Sequence, residues 1–260
     1  MNIVVCVKRV PMTQEVDLEI DASGKDVKKD MLAYVLNEWD NYAVEEAIQL
    51  KDKTDGTVTA ITIGGEDDEE VLRRCLAMGA DKSIRVEPGD QPLDSFVKAR
   101  ILAQVVKGLD GYDLVLSGVQ SDDSNSGMVG ILLAEQLDAP HAAVVTGIEP
   151  QDGGATLRVE LEGGLDEVSK IKVPAVLSIQ TGINEPRYVS IMGIRKAAKK
   201  ELKVMELGEL GLSADDLTPM TTVEEYYFPP ESEGAEMIEG DAATVAEAIL
   251  RIIKEKGVSI

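Results

Sequence analysis

The chain has 260 residues and a formal net charge of −22, with 48 acidic residues against 26 basic ones. Nucleic acids and anionic membrane surfaces attract basic proteins, so this charge argues against sequence-independent nucleic-acid binding and against docking on such a membrane. No apolar run approaches the roughly 20 residues that span a bilayer, and we expect no direct membrane insertion.

Cysteine and histidine are too scarce for several kinds of chemistry. Two cysteines, Cys6 and Cys75, cannot build a disulfide framework and indicate a reducing compartment, which we expect to be the cytoplasm. The single histidine, His141, argues against a histidine-based triad and a multi-histidine metal site. We therefore assign no catalytic residue and no metal ligand. Residues 1–8 lack the pattern of a signal peptide and predict a first strand.

The first half of the chain alternates strands with helices. Apolar or β-branched runs predict four strands, at 3–7, 57–63, 83–86 and 112–117. Apolar residues at helical spacing predict four helices, at 37–50, 67–78 (with Gly79 as C-cap), 95–109 and 128–137. Strands alternating with such helices form βαβ units, so we expect an α/β fold with a mostly parallel, doubly wound, Rossmann-like sheet.

The second half of the chain changes character. Segments separated by the turns Gly153-Gly154 and Gly163-Gly164 predict strands, which we expect to be antiparallel additions, at 141–148, 155–161, 168–173 and 175–179. Residues 181–193 predict an irregular loop, and 195–200 form a basic segment that could meet an acidic partner. The polar section 210–240 predicts an extended arm, which ends in an amphipathic helix at 242–256.

The most informative segment is the polar, glycine-containing loop 118–130, between a predicted strand and a predicted helix. Such loops hold nucleotide phosphates through backbone N–H groups and the positive helix end. Asn125 and Ser126 are predicted to cap this helix. The loop matches neither the Walker sequence nor the dinucleotide fingerprint, so an ordinary solvated turn is an equal alternative. Asp122 and Asp123 would repel a phosphate and are expected to face ribose hydroxyls, backbone amides or solvent.

The position of this loop also predicts where a ligand would lie. Ligands of parallel sheets bind at the carboxyl ends of strands. In this chain those ends are the turns after Val7, Ile63 and Ser117. We therefore expect one site that draws residues from three separate turns.

Six short motifs resemble the electron transfer flavoprotein beta subunit: Val5-Cys-Val-Lys-Arg-Val10, Ala77-Met-Gly-Ala-Asp81, Glu162-Gly-Gly-Leu165, Val173-Pro-Ala-Val176, Asn184-Glu-Pro-Arg-Tyr188 and Ile194-Arg-Lys-Ala-Ala-Lys-Lys200. The resemblance runs in order across essentially the whole chain, through the C-terminal segment 253–260. Asn-Glu-Pro-Arg-Tyr and the basic segment after it are its most specific part.

The resemblance implies a heterodimer with an alpha subunit that holds the redox-active FAD. Ordinary members bury AMP in the beta subunit, whereas electron-bifurcating members bind a second FAD there and oxidise NADH. The family accepts electrons from acyl-CoA or related dehydrogenases, as in fatty acid oxidation, and passes them to a quinone oxidoreductase or another acceptor. It also implies a nucleotide-binding domain at 1–205, followed at 206–260 by an arm and helix that pack on the alpha subunit.

The resemblance places cofactor contacts on several separate segments. Cys6 would contribute its backbone, Asn37 and Asp40 would meet adenine or ribose, and Trp39 would approach the flavin at the subunit boundary. Asn37 is also a plausible helix N-cap, and Trp39 a plausible core or interface residue. The complete set of implied contacts is Cys6, Asn37, Glu38, Trp39, Asp40, Ile63, Gly118, Val119, Gln120, Ser121, Asp122, Asp123, Ser124, Asn125, Ser126, Gly127, Met128 and Val129.

A recognition loop near 184–196, which docks on dehydrogenases, is also implied by the resemblance. Ile191 would be its apolar anchor, and an incidental surface residue is the alternative. Lys196 and Lys199 match lysines that some members methylate. The implied docking residues are Arg187, Tyr188, Val189, Ser190, Ile191, Met192, Gly193, Ile194, Arg195 and Lys196.

The nucleotide loop departs from both classes of the family. Bifurcating members commonly carry Asp-Gly-Asp-Thr where this chain has residues 123–126, and AMP-binding members carry Asn-Gln-Thr where it has 127–129. We favour AMP and one-electron transfer, with the bifurcating alternative close behind. A stand-alone adenine-nucleotide-binding enzyme or sensor is the alternative of another class. The lack of a phosphate-loop lysine and of a histidine or metal constellation counts against it.

Overall fold

The computed structural model describes residues 1–14, 16–30, 32–230, 234–235 and 237–257. Parts of the predicted arm, at 231–233 and 236, and the last three residues of the segment 253–260 lie outside the described residues. Described strands are β1 Asn2–Cys6, β2 Arg9–Pro11, β3 Tyr34–Leu36, β4 Thr57–Ile63, β5 Lys82–Glu87, β6 Leu114–Gly118, β7 His141–Gln151, β8 Gly154–Leu161, β9 Leu165–Lys172, β10 Ala175–Ile179 and β11 Leu202–Glu206. Described α-helices are α1 Glu38–Thr54, α2 Glu69–Met78, α3 Ser95–Lys107, α4 Val129–Leu137, α5 Ile191–Ala197 and α6 Ala242–Glu255.

One large sheet organises these elements. Its order in the described residues is β11-β5-β4-β1-β6-β10-β7-β8-β9, and a separate antiparallel pair joins β2 to β3. Every neighbouring pair from β11 to β7 is parallel, and the pairs β7–β8 and β8–β9 are antiparallel. The predicted α/β class, with a mostly parallel sheet and antiparallel additions, is confirmed.

Helices cover both faces of the sheet. Successive residues of a strand point to opposite sides, so each strand buries side chains on both faces. Ile3 and Val5 of β1 pack with α1 and α2 on one face. Val4 and Cys6 pack with α3 and α4 on the other. The strands are therefore buried on both sides, which is why they appear in the sequence as continuous apolar runs rather than alternating ones.

Three local predictions need correction. The strand at 175–179 is not an antiparallel addition, because β10 lies parallel between β6 and β7. The predicted irregular loop 181–193 ends in a helix: Ser190 Oγ accepts the Gly193 N–H at 3.1 Å, and this cap starts α5 at Ile191. The edge strand β11 has no counterpart among the predicted strands. It pairs in parallel with β5 and extends the sheet.

The chain forms two compact units, Met1–Glu224 and Glu225–Ile260. The first unit extends past residue 205 because the segment after β11 bonds back to the region of α3. Gln91 Nε2 donates to the Leu217 carbonyl at 2.7 Å, and the Asp94 carboxylate accepts the backbone N–H of Met220 at 2.7 Å and of Thr221 at 3.0 Å. The second unit contains α6, and the Asp241 side chain caps its N-terminus by accepting the Thr244 N–H. Packing of the arm on a partner subunit stays a prediction.

Among the described helices, none is both long and apolar enough to cross a membrane.

Candidate functional site

A cavity of about 320 Å³ opens where β1, β4 and β6 end. The turns after Val7, Ile63 and Ser117 all reach it. The wall on the far side comes from α3, through Ser95 and Lys98 among others. The parallel strands thus bring together segments that are more than a hundred residues apart in the sequence.

The predicted cofactor residues divide into two sets in this structure. Those that line the cavity are Cys6, Asn37, Asp40, Ile63, Gly118, Val119, Gln120, Ser121, Ser124, Ser126, Gly127, Met128 and Val129. Those that do not line it are Glu38, Trp39, Asp122, Asp123 and Asn125. Further lining residues, absent from the sequence-based set, are Val7, Lys8, Arg9, Asp68, Leu93, Ser95, Lys98, Leu102, Ser117 and Gly130.

Asp40 joins the ends of two neighbouring strands. Its Oδ2 accepts the Lys8 backbone N–H at 2.8 Å and its Oδ1 accepts the Gly118 N–H at 2.9 Å. Burial raises the pKa of Asp40 to about 7, although both backbone N–H groups act in the opposite direction. The first turn of α1 therefore fixes the spacing of the two strand ends that border the cavity.

Asn37 fixes the loop that follows β6. Its Nδ2 donates to the Gln120 carbonyl at 2.9 Å, and its Oδ1 accepts the Asp122 N–H at 3.1 Å. Asn37 occupies the N-cap position of α1, but its side chain makes no capping hydrogen bond. The amide group instead attaches the glycine-containing loop to the start of α1.

Three cationic side chains line the cavity, although the chain as a whole is strongly acidic: Lys8, Arg9 and Lys98. Lys8 Nζ pairs with Asp123 Oδ2 at 2.6 Å and lies 3.3 Å from Ser121 Oγ. Burial, and then the charge of Lys8, lowers the pKa of Lys98. Burial opposes ionisation of Asp123, but hydrogen bonds from Lys8 and Ser121 and the charge of Lys98 hold its pKa below the usual range.

Two carboxyl groups, those of Asp40 and Asp68, share the cavity wall with these cations, and Arg9 also lies 3.8 Å from Asp67 and 3.9 Å from Glu70. Burial raises the pKa of Asp68, against the nearby charge of Arg9, and Asp40 behaves in the same way. Both groups therefore favour the neutral acid more than an ordinary aspartate does. The lining thus has three cationic side chains against two carboxyl groups, a charge balance that suits an anionic ligand.

The start of α4 also faces the cavity. The expected capping role of Asn125 and Ser126 is wrong, because α4 begins at Val129 with Met128 in the N-cap position and no side-chain cap. Asn125 has a positive φ of 47° inside the loop. Gly130 lies so close to the sheet that an added Cβ would be 2.4 Å from Ser178 Oγ and 2.8 Å from Ser117 Oγ. This close approach brings the positive end of α4 to the cavity wall.

Ser117 supplies an unused polar group at the same place. Its Oγ is buried and has no hydrogen-bond partner among the described residues, and the residue lines the cavity. Buried polar groups normally have a partner. A hydroxyl in this position can donate to, or accept from, a ligand bound in the cavity.

The remaining predicted cofactor residues have other roles. Trp39 does not line the cavity but lies next to Gly118, where an added Cβ would be 2.5 Å from Trp39 Cβ, and it donates its Nε1–H to Gln180 Oε1 at 3.0 Å. Asp122 Oδ2 accepts the Glu38 N–H at 3.5 Å. Burial, followed by the charge of Asp40, raises the pKa of Cys6 to about 12, so its thiol stays protonated at neutral pH and is a poor nucleophile.

The predicted docking residues lie together around α5. Ile191 is 71 % exposed, and Tyr188, Met192 and Ile194 are also exposed. Arg187 differs from its neighbours because its guanidinium turns inward and pairs with Glu45 at 2.8 Å. The exposed apolar surface is therefore formed by residues after Arg187, while Arg187 itself attaches the segment to α1.

The comparisons with known proteins cover almost the whole chain. A family model described as the electron transfer flavoprotein domain matches residues 27–210. The chain is 42 % identical over 263 residues to the electron transfer flavoprotein subunit beta of Methylophilus methylotrophus, with 98 % of each chain covered. It is 36 % identical over 259 residues to the subunit of that name in Bacillus subtilis, again with 98 % of each covered. It is 33 % identical over 263 residues to the caffeyl-CoA reductase-Etf complex subunit CarD of Acetobacterium woodii, covering 98 % of this chain and 99 % of that one.

Proposed function

This chain belongs to the electron transfer flavoprotein family as a beta subunit, and on that basis we propose that its cavity binds AMP while an alpha subunit carries the redox-active FAD. Its role is then electron transfer within a heterodimer. When bound, the FAD supplies the group that takes up and releases electrons. The described chain supplies a nucleotide cavity, an aromatic side chain beside it and an exposed helix.

One observation carries the nucleotide part of the proposal: three cations and the start of α4 converge on one cavity in a chain of net charge −22. A phosphate is the anion that such a combination of lysine, arginine and helix N-terminus suits. Ser117 Oγ, buried and without a described partner, fits a ligand oxygen at the same wall. The Asp40 carboxylate accepts protein N–H groups, and the Asn37 amide donates to the Gln120 carbonyl and accepts the Asp122 N–H, so in this proposal both residues hold the wall in place.

The size of the cavity favours AMP over a second FAD. Its volume of about 320 Å³ lies at the lower end of the roughly 300–1,000 Å³ typical of ligand pockets. A mononucleotide is the better match for a cavity of that size. Since the ordinary members of the family are those that bind AMP, AMP binding would indicate ordinary one-electron transfer rather than bifurcation.

A second candidate is a beta subunit that binds a second FAD and serves in electron bifurcation. One observation bears on it: a relative over nearly the full length of this chain is named as a subunit of a caffeyl-CoA reductase-Etf complex, so relatives of this chain serve in more than one assembly. The loop 123–129 also carries the sequence of neither class. The stand-alone enzyme or sensor is disfavoured, because relatives over the full length are named as subunits.

For partners, we propose acyl-CoA or related dehydrogenases as electron donors that dock on α5. Ile191, Met192 and Ile194 present exposed apolar side chains next to the basic residues Arg195 and Lys196. A small surface of this kind supports brief encounters, as an electron carrier requires. A quinone oxidoreductase is the proposed acceptor.

The test is a count of nucleotides in the heterodimer. The chain is co-expressed with an alpha subunit, purified and denatured, and FAD and AMP are measured against protein. One FAD and one AMP per heterodimer are expected. Two FAD and no AMP would establish the bifurcating alternative. A colourless chain that turned over a substrate by itself would contradict the electron-carrier role.

A further inference from the structure

We propose that α5 is a pre-formed docking helix, held in place by Glu45 of α1, Arg73 of α2 and their partners Arg187 and Lys200. These four are positioning residues, since they act through the exposed side chains of α5. The proposal rests on the docking function proposed above. It adds the reason why the docking surface has a defined shape before any partner arrives.

The N-terminal side of α5 is attached to α1 through a buried carboxylate. Glu45 accepts the Arg187 Nε–H at 2.8 Å, the Nη2–H at 3.0 Å and the backbone N–H at 3.1 Å. Next to it, Glu46 accepts the Asn184 Nδ2–H at 2.9 Å. A buried carboxylate left without its partner is strongly destabilising, so segment 184–187 is confined to this position. Arg187 lies three residues before the cap at Ser190.

The C-terminal side of α5 is attached to α2 by two cationic side chains, one from each side, that donate to backbone carbonyls of the other segment. Arg73 Nη1 donates to the carbonyls of Ala197 at 3.1 Å and Lys200 at 2.8 Å. Lys200 Nζ donates back to the carbonyls of Leu76 and Ala80 at the end of α2. Carbonyls at helix ends lack intrahelical partners, and cations there are favourable. Each helix therefore has carbonyl groups near its C-terminal end that accept hydrogen bonds from a cation belonging to the other segment.

The middle of α5 packs closely on α2. A Cβ added at Gly193 would lie 3.2 Å from the Ala77 carbonyl oxygen, and Ala197 is fully buried. A helix of seven residues is too short to be stable alone. Its conformation must therefore come from these contacts on three sides, while Ile191, Met192 and Ile194 remain exposed.

Such preorganisation has a direct consequence for docking. A partner that bound a disordered loop would have to offset the entropy of ordering it, whereas a braced helix has already lost that entropy during folding. Loosening the attachment should therefore weaken docking without changing the flavin or the exposed side chains.

The experiment compares two adjacent arginines of α2 in the co-expressed heterodimer. Arg73→Met removes the bonds to the end of α5, and Arg74→Met is the matched control, since Arg74 is exposed. Amide hydrogen exchange of residues 191–197 should speed up by about tenfold in Arg73→Met, in line with the loss of a charge-assisted hydrogen bond, and stay unchanged in Arg74→Met. Glu45→Gln should act in the same direction from the other side.

The second readout is electron transfer from an acyl-CoA dehydrogenase reduced with its acyl-CoA substrate. Arg73→Met should raise the KM for the dehydrogenase by a similar factor, with kcat and FAD content unchanged. Unchanged exchange in both Arg73→Met and Glu45→Gln, or faster exchange with an unchanged KM, would overturn the proposal. Ile191→Ala separates the two proposals: it should raise KM without affecting exchange, and an unchanged KM there would remove the docking function itself.

Discussion

The Gly118 N–H donates to Asp40 Oδ1 at 2.9 Å, and an added Cβ at Gly118 would lie 2.6 Å from the same oxygen. The hydrogen bond and the close approach have one cause: the first turn of α1 sits directly against the end of β6. This contact sets the geometry of one side of the cavity. Substitution of either Gly118 or Asp40 tests this contact.

Gly118→Ala should destabilise the protein by about 1–3 kcal/mol, the usual cost of forcing an extra methyl into a packed site. The new Cβ would also lie 2.5 Å from Trp39 Cβ. Urea unfolding of the full chain measures the effect. Gly65→Ala is the control, because Gly65 has an ordinary φ of −75° and no heavy atom near the added Cβ. Equal stability of the two variants would contradict the packing argument.

Asp40 should make stability fall as the pH rises from about 4 to about 7. Its pKa is raised from 3.8 to about 7 in the folded protein, so the folded state binds the proton more tightly than the unfolded state. The stabilisation is complete below the unfolded pKa and is lost as the pH passes through the folded one. Measured over this range, the unfolding free energy of the wild type should fall relative to that of Asp40→Asn as the pH rises, because the asparagine does not titrate. Parallel profiles would show that Asp40 does not titrate there.

Lys98→Met should weaken AMP binding about tenfold, as expected for the loss of a bond between a charged group and a phosphate. Calorimetry with nucleotide-free heterodimer measures the affinity. Adenosine, which has no phosphate, should bind equally well to the variant and to wild type. Lys107→Met, on an exposed position of the same helix, is the control. A parallel loss of adenosine affinity would point to damage of the cavity rather than to a lost phosphate contact.

Asp123→Asn should strengthen AMP binding severalfold. The substitution removes a negative charge from beside the cavity and releases Lys8 Nζ from its 2.6 Å ion pair. The increase should shrink as salt is added, since both groups are partly exposed to solvent. Asp122→Asn, whose side chain does not contact Lys8, should leave the affinity unchanged. Weaker binding in Asp123→Asn would mean that the ion pair holds Lys8 in its binding position.

Much of the fold was predictable because its signals are local. Each central strand is an apolar run bounded by polar residues, and α1, α2 and α3 repeat apolar residues at helical spacing. The order of these elements was enough to predict a mostly parallel sheet. The place of the cavity followed from the rule that ligands lie at the carboxyl ends of parallel strands, which predicts that residues near Cys6, Ile63 and Gly118 meet.

The parts that sequence reasoning missed depend on distant contacts. Lys8 and Arg9 lie in the first motif, directly after Val7, yet their charge was not linked to the loop at 118–130. Lys98 was one polar residue on an amphipathic helix, and only the packing of α3 against the sheet turns it to the cavity. Asn125 and Ser126 are good capping residues, but α4 begins only at Val129, so both residues lie in the loop before its N-cap.

By itself, the sequence determined the class of fold, the central strands of the sheet and the helices α1 to α4, the turns that meet at the cavity and the family resemblance, because each depends on residues that are neighbours along the chain. Only the tertiary structure decided the charge of the cavity wall, the edge strand β11 and the helical state of residues 191–197. The helical state of residues 191–197 depends on partners such as Glu45 and Arg73, which lie more than a hundred residues from α5. A segment of seven residues cannot fix its own conformation, so its structure is set by what it packs against.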